Sequence, residues 1–310
     1  MFDKEENKTI ANRPETSKYV NALTLDVEDY WSIFLRYWLN KKTEPSEAVV
    51  RNSKWFLEIL SKHNVKATCF ILGEVAQKHP SLVKMIAENG HEIGSHGFSH
   101  KQIFKLSKNQ FRDEIATSKK LLEDITGQAV LGYRAPAFSI MPETKWALDI
   151  LAEEDYRYDS SVYPISGKRY GWPGFKKDIC QVILPSGRCI IEAPLSTVTI
   201  FGKTLPVAGG GYIRHFPYMV TKRAITNIQK QRPAIIYLHP YEIDVQSKPF
   251  DVKHRSWTDQ ARLIAFHKIQ QRNRSTVPKK ILLLLAEFKF KTLWEIIGNI
   301  KTLPEINLKS

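Results

Sequence analysis

Residues 92–100 (EIGSHGFSH) form a short apolar stretch that runs directly into two histidines, His96 and His100. The residues before His96 predict a short strand at 92–94. Histidines four positions apart lie one turn apart on one face of a helix, where both imidazoles can bind one metal ion. The H-E-x-x-H motif of metalloproteases is absent, because Gly97 stands in the place of its glutamate. The pair alone is a common chance pattern, so its meaning depends on what the neighbouring strands carry.

The segments on both sides of this stretch alternate between apolar runs and helical patterns. Strands are predicted at 19–26, 67–72, 92–94, 131–134, 157–161 and 234–238, and helices at 47–63, 80–89, 108–126, 142–154 and 217–231. Residues 178–200 are predicted to be antiparallel, with a turn at 185–187. Because parallel strands that are buried on both faces are uniformly apolar, the alternation predicts a parallel α/β sheet or barrel.

Four of the predicted strands are followed by polar residues that can carry chemistry. These residues are Asp26 with Glu28 and Asp29, His96 with His100, Arg134, and His239. In parallel α/β barrels, the side chains at the C-terminal ends of the strands converge on one mouth. We therefore expect these residues, which are distant in sequence, to form one site.

The acidic cluster at 26–29 supplies the carboxylate that two histidines need to form an open metal site with a position left for water. The structural alternative is a solvated loop or a helix cap. Asp26 follows several residues of buried strand, and a buried acid must be paired, coordinated or protonated. On an extended strand Asp26 and Glu28 point to the same side, so one could bind the metal while the other acts as base.

Arg134 and His239 each have a structural and a catalytic interpretation. Arg134 could pair with a helix end, or its guanidinium fork could hold a base carboxylate ionised and oriented. His239, taken singly, is typical of a core histidine. Aligned with the other strand ends, it becomes a candidate general acid.

The composition and the charge of the chain limit which partners and which cellular location are expected. The chain has 310 residues, 43% of them hydrophobic, as globular proteins do, and a formal net charge of +14. From Lys253 onward, twelve Lys or Arg stand against four acids, so this region carries +8. We expect it to contact an anionic membrane surface peripherally, whereas no nucleic-acid-binding motif is present and nucleic acid is not expected as a partner. No apolar run approaches the roughly 20 residues of a membrane span, and residues 1–8 have no secretory apolar region, so a cytoplasmic location is expected.

Taken in order, the motifs of this chain resemble those of the polysaccharide deacetylase family, the NodB-homology fold of carbohydrate esterase family 4. The motifs are TLDVED at 24–29, GHEIGSH at 90–96 with His100, RAP at 134–136, YDSS at 158–161 and LH at 238–239. Residues 209–214 (GGGYIR) and 288–293 (FKFKTL) are similar to the subgroup with an extra C-terminal region linked to exopolysaccharide production. The resemblance implies a distorted seven-stranded (β/α) barrel. We expect a disordered lead-in at 1–18, the barrel at 19–250 and a helical extension packed on it at 251–310.

The resemblance also implies a role for each site residue. A divalent metal, usually zinc, would be held by His96, His100 and one acidic residue of the first motif. Asp26 matches the base and Arg134 the residue that positions it. The backbone N–H of Ala137 matches the oxyanion hole, with Tyr133 at the substrate side, and His239 matches the acid, with Asp159 orienting it. The implied reaction removes acetyl groups from an N-acetylated polysaccharide or a lipid-linked oligosaccharide.

The first motif departs from the usual family pattern. Many members have two adjacent aspartates, the second of which binds the metal, but here Val27 fills the second place. Some relatives use an Asp-x-Asp spacing, which makes Glu28 the expected ligand, and Asp29 is the alternative. The second hypothesis for function is a catalytically weak barrel that binds polysaccharide within an assembly complex.

Overall fold

The computed structural model describes residues 18–167, 170–207, 209–246, 253 and 256–309. The predicted lead-in at 1–18 lies outside the described residues except for Lys18. The strands are β1 (Asn21–Val27), β2 (Thr68–Ile71), β3 (Glu92–Ser95), β4 (Gly132–Tyr133), β5 (Tyr158–Asp159), β6 (Cys180–Ile183), β7 (Cys189–Glu192), β8 (Thr197–Ile200), β9 (Lys203–Pro206), β10 (Ile235–Leu238), β11 (Phe290–Lys291) and β12 (Glu305–Asn307). The helices are α1 (Tyr30–Leu39), α2 (Glu47–Lys62), α3 (Gly73–Lys78), α4 (Pro80–Glu88), α5 (Lys108–Thr126), α6 (Trp146–Glu153), α7 (Gly210–His215), α8 (Tyr218–Ile228), α9 (Trp257–Gln271), α10 (Val277–Glu287) and α11 (Leu293–Gly298).

Seven parallel strands form the centre of the main sheet, in the order β10-β1-β2-β3-β4-β5-β7. All residues of β1, β2 and β10 are buried, which accounts for the apolar runs of the sequence, because helices cover a parallel sheet of this kind. β10 is the last strand at one end of this order. The side-chain oxygen of Ser196 accepts a hydrogen bond of 2.7 Å from the backbone N–H of Ile235 on this strand. The predicted α/β architecture with a mostly parallel sheet is confirmed.

The register of the strands fixes where the site can form. Val27 pairs with Ile71, Ile71 with Ser95, and Ser95 with Tyr133, so the C-terminal ends of β1 to β4 are level. On the other side of β1, Leu25 pairs with Leu238. The residues that follow these strands therefore lie along one edge of the sheet.

The first and last residues of α5 are set by local sequence signals. Its bounds are those predicted, because Ser107 forms a capping box with Gln110 and Gly127 ends the helix at a φ of +66°. The predicted helix at 142–154 is instead split into a 3-10 turn at Pro142–Thr144 and α6.

The C-terminal region is helical, as expected, and contains α9 to α11, but it also contributes two strands to the main sheet. β11 pairs with β1 in the centre of the main sheet, and β12 pairs with β6 at its edge. Neither strand was predicted, because they are only two and three residues long. No helix within the described residues is long and apolar enough to cross a membrane.

Candidate active site

The residues that follow β1, β3, β4 and β10 meet in a cavity of about 230 Å³ at the C-terminal edge of the sheet. Its polar lining consists of Asp26, Glu28, His96, His100 and His239. Its remaining walls are mainly aromatic, formed by Tyr30, Phe34, Tyr37, Trp38, Phe138, Tyr241 and Phe266, with Ile33, Ala137 and Gln270. The predicted convergence of the strand ends is thus present in the structure.

Glu28, His96 and His100 form a group with metal-ligating geometry. Glu28 Oε2 lies 3.3 Å from His96 Nε2 and 2.8 Å from His100 Nε2, and all three residues are buried. Among the described residues this is the one set of three or more His, Cys, Asp or Glu side chains that meets such spacing. Burial raises the pKa of the Glu28 carboxyl, but His100, His96 and His239 outweigh it and hold that pKa well below its usual value.

The hydrogen bond on the far side of the His96 ring gives Nε2 the orientation that a metal ligand needs. His96 Nδ1 lies 2.8 Å from the carbonyl oxygen of Arg134, which can only accept, so Nδ1 carries the proton. In the neutral ring, Nε2 then turns a lone pair toward the carboxylate of Glu28. A lone pair and a carboxylate at 3.3 Å need a proton or a metal ion between them, and this hydrogen-bonding pattern is that of histidine ligands in metal sites.

The segment that carries the two histidines is a turn, so the expectation that they lie one turn apart on a helix was wrong. Gly97 and His100 have φ angles of +72° and +57°. Glu114 of α5 accepts hydrogen bonds from the backbone N–H groups of Phe98 (3.1 Å) and Ser99 (2.8 Å). The carbonyl of His100 in turn accepts a hydrogen bond from the hydroxyl of Tyr37 on α1. The turn is therefore fixed from both sides, which holds the imidazoles before a ligand binds.

Glu28 and Asp29, the alternative metal ligands expected from the sequence, have different contacts in the structure. Asp29 is the N-cap of α1: its Oδ2 accepts from the backbone N–H of Ser32 at 2.9 Å, and its Oδ1 accepts from the hydroxyl of Ser46 at 2.7 Å. Its carboxylate is thus used in the cap, whereas Glu28 faces the histidines.

Asp26 and Arg134 form a buried ion pair beside this group. Arg134 Nη1 donates to Asp26 Oδ1 at 2.7 Å and to Thr24 Oγ1 at 2.7 Å, and its Nε and Nη2 donate to Ser160. The side chain of Arg134 is 0% exposed and that of Asp26 is 1% exposed. These contacts fix the guanidinium, which in turn orients the Asp26 carboxylate so that its Oδ2 lies 3.8 Å from His239 Nε2.

His239 faces Asp26 and Glu28 through Nε2 and is held from behind by Glu242. Its Nε2 lies 3.7 Å from Glu28 Oε1, and its Nδ1 lies 3.1 Å from Glu242 Oε1. Burial lowers the pKa of His239, but the surrounding carboxylates of Glu242, Glu28 and Asp26 outweigh it and raise the pKa to about 9.

Two of the predicted site residues, Asp159 and Tyr133, do not line the cavity. Asp159, expected to orient His239, accepts a hydrogen bond of 2.5 Å from the hydroxyl of Ser161 and pairs with Glu192 on the neighbouring strand. It is 0% exposed and is not among the residues that line the cavity. Tyr133, expected at the substrate side, is 1% exposed and packs in the core against Phe111 and Tyr156.

Ala137 does line the cavity, and it does so in an unusual backbone conformation. Its φ and ψ are 52° and 29°, in the left-handed region that alanine rarely adopts. Strain of this kind is concentrated at functional sites, where the surrounding structure imposes it.

Sequence reasoning missed Glu242 and the residues of α9. A signal existed for Glu242, because a Pro follows His239 and a tight turn places residues three apart on the same side. For Phe266 and Gln270 no local signal existed, since only the tertiary fold brings α9 over the strand ends.

Comparison with known proteins agrees with this architecture. Residues 42–158 match the model of the polysaccharide deacetylase family, and residues 160–298 match the model of a domain of unknown function, DUF3473. The curated peptidoglycan-N-acetylglucosamine deacetylase of Bacillus cereus is 40% identical over 94 residues, which are 30% of this chain and 34% of that protein. The peptidoglycan deacetylase of Helicobacter pylori is 32% identical over 106 residues, 34% of this chain and 35% of that protein. The chain thus spans about a third of the length of these relatives.

A solved structure covers more of the chain. A Mycobacterium smegmatis protein assigned as a polysaccharide deacetylase has a TM-score of 0.54 and 20% identity, with 95% of this chain and 97% of that chain covered. At this identity the likeness shows the fold alone.

The fold and the site together define an α/β protein with a Glu/His/His group that could hold a metal ion at the C-terminal ends of its parallel strands. More narrowly, the chain has a polysaccharide deacetylase domain of the NodB type followed by a DUF3473 domain.

Proposed function

We propose that this protein removes acetyl groups from an N-acetylated polysaccharide or lipid-linked oligosaccharide in a metal-dependent hydrolysis. The observation that carries the proposal is the position of Glu28, His96 and His100 next to a buried Asp26–Arg134 pair and His239 in one cavity. Relatives that share part of the sequence act on peptidoglycan or chitooligosaccharide by their names, which supports the substrate class.

The proposed metal ligands are Glu28 Oε2, His96 Nε2 and His100 Nε2. A divalent metal, which we propose to be zinc, would supply a Lewis acid that polarises the acetamide carbonyl and acidifies water. The hydrogen bond from His96 Nδ1 to the carbonyl of Arg134 orients the ring, so that Nε2 faces the proposed metal position.

The other residues handle protons and charge. Asp26, oriented by Arg134, accepts a proton from the attacking water, and His239 delivers one to the leaving amine through Nε2. Glu242 holds His239 Nδ1 at 3.1 Å, so we assign to Glu242 the orienting role that the sequence analysis gave to Asp159. The backbone N–H of Ala137, at the cavity wall, is the proposed donor to the developing oxyanion.

The matched pair Asp26→Asn and Glu28→Gln tests these roles. With N-acetylchitotetraose as substrate, we expect acetate release by the wild type. Asp26→Asn is expected to retain metal and lose turnover by about 10²–10⁴-fold, the usual contribution of a general base. Glu28→Gln is instead expected to bind the metal more weakly. Metal-loaded wild type that binds the oligosaccharide without releasing acetate would instead support the alternative, a polysaccharide-binding barrel in an assembly complex.

We also propose a cellular setting, exopolysaccharide synthesis at the cytoplasmic face of an anionic membrane. The support is the +8 charge from Lys253 onward, which includes the exposed Lys279, Lys289 and Lys301. Binding to vesicles with about 30% anionic lipid should then decrease with salt. Wild-type binding by a variant with these three lysines changed to Glu would refute the role of this region.

A further inference from the structure

The cavity has a polar wall and an aromatic wall, and the mechanism uses only the polar one. Phe34 and Trp38 of α1 and Phe266 of α9 form one part of the aromatic wall, where the two helices meet. The Trp38 and Phe266 rings lie 4.4 Å apart at 38°, and the Phe34 and Phe266 rings are stacked at 6.2 Å and 13°. Trp38 and Phe266 are only partly buried, so their rings remain reachable from the cavity.

The C-terminal end of α9 is held in place by two buried arginines. Arg214 Nη1 donates to the carbonyl of Gln270 at 2.7 Å, and Arg274 Nε donates to the same carbonyl at 3.0 Å. These arginines are 4% and 2% exposed, and Arg274 also lies 4.7 Å from the ring centre of Tyr30 on α1. The two helices of the wall are thus joined through buried charged groups, which gives the wall a fixed position relative to the strand ends.

Gln270 adds a polar group to this wall. Its side-chain Oε1 accepts from Arg214 Nη2 at 3.4 Å, which leaves the amide NH₂ as the group that Gln270 offers to a ligand. An aromatic surface with one hydrogen-bond donor at its side suits an amphipathic ring. A pyranose has C–H groups on its faces and hydroxyls around its edge, so it can contact the rings and accept from Gln270 at the same time.

The size of the cavity limits the ligand. Its volume of about 230 Å³ is below the roughly 300–1,000 Å³ of sites for drug-sized molecules. One sugar ring with its acetamide is therefore a better match than several rings.

We propose that Trp38, Phe266 and Gln270 bind the pyranose ring whose acetamide faces Glu28, His96 and His100. The DUF3473 domain, which contains α9, thereby completes the substrate site of the deacetylase domain. This inference rests on the proposed function, because the identity of the ring follows from the reaction.

The first test measures binding directly, by calorimetric titration of the full chain with N-acetylchitotetraose. Phe266→Leu keeps an apolar side chain of similar size but removes the aromatic ring face. We expect its affinity for N-acetylchitotetraose to fall roughly tenfold, which is near the upper limit of the energy of one aromatic contact. Trp257→Leu is the matched control, since Trp257 lies on the same helix and is 80% exposed; its affinity should equal that of the wild type. Trp38→Leu provides a second variant if Phe266→Leu is unstable to heat.

The second test separates binding from chemistry. In acetate release, Phe266→Leu, Trp38→Leu and Gln270→Ala should raise KM, with kcat within about twofold of wild type, because none of them touches the reacting groups. Unchanged affinity and KM in all three variants would overturn the proposed sugar site, even with an active wild type. Binding of sodium octanoate but not of the sugar would also overturn it, in favour of an acyl chain. An inactive wild type that binds the sugar through Phe266 would refute the proposed function and retain the sugar site.

Discussion

Replacing Arg134 with Met should destabilise the protein strongly, because Arg134 is the partner of a buried charge. Asp26 and Arg134 are 1% and 0% exposed and 2.7 Å apart, so the variant leaves the Asp26 carboxylate buried without its counter-charge. Breaking a buried pair in this way costs about 3–5 kcal/mol. We expect a loss of this size in the free energy of unfolding, measured by urea titration.

The double variant Asp26→Asn/Arg134→Met isolates the ion pair. Asp26→Asn alone leaves Arg134 its contacts to Thr24 and Ser160, so it should cost about 1–3 kcal/mol. The double variant has neither charge and should be more stable than the sum of the single losses predicts, by about 1–3 kcal/mol.

A surface arginine provides the control for this cycle. Arg112 pairs with Glu153 and Glu154 but is 39% exposed, so Arg112→Met should cost no more than about 1 kcal/mol. Losses at Asp26 and Arg134 that add within about 0.5 kcal/mol would refute the argument that the two charges depend on each other.

Three further predictions concern metal, orientation and pH. Glu28→Gln should weaken zinc binding by more than the roughly 10–100-fold typical of indirect partners, measured by competition with a chromophoric chelator; wild-type affinity would exclude Glu28 as a ligand. Glu242→Ala should lower kcat by about tenfold or more with little change in KM, while Glu242→Gln, which keeps an acceptor oxygen for His239 Nδ1, should recover part of the loss; equal losses would argue against an orienting role. Burial, with Lys66 nearby, lowers the pKa of His91 from 6.5 to about 4, so the unfolded chain takes up this proton first as the pH falls. Stability should therefore decrease between pH 6.5 and 4 by up to about 3 kcal/mol, and urea titrations of His91→Gln should show a smaller decrease; the same decrease in both proteins would assign it to other groups.

Site residues at the ends of strands could be located from the sequence, whereas the backbone geometry of the segment that carries the two histidines could not. Asp26, Glu28, Arg134 and His239 could be placed together because each stands at or just after the end of an apolar run, and parallel strands end at one edge. The helical geometry expected for His96 and His100 was wrong, because left-handed residues at Gly97 and His100 bend the segment into a turn.

Other parts of the site depend on contacts that no local pattern encodes. Asp159 and Tyr133 stand near strand ends as the others do, but their side chains point into the core. Phe266 reaches the cavity only because α9 packs on α1, more than 200 positions away in the sequence. That contact arises from tertiary packing of aromatic rings, which a periodic pattern does not reveal.

Glu28, His96 and His100 are the proposed ligands of the metal on which deacetylation would depend. The most direct measurement is acetate release from N-acetylchitotetraose during stepwise addition of zinc to the chelator-treated protein. We expect the rate to rise in proportion to added zinc until about one equivalent per chain and then to level off, whereas Glu28→Gln should stay near baseline over the same range. A wild-type rate that is already maximal without metal, or a Glu28→Gln curve that matches the wild type, would contradict the proposed metal dependence.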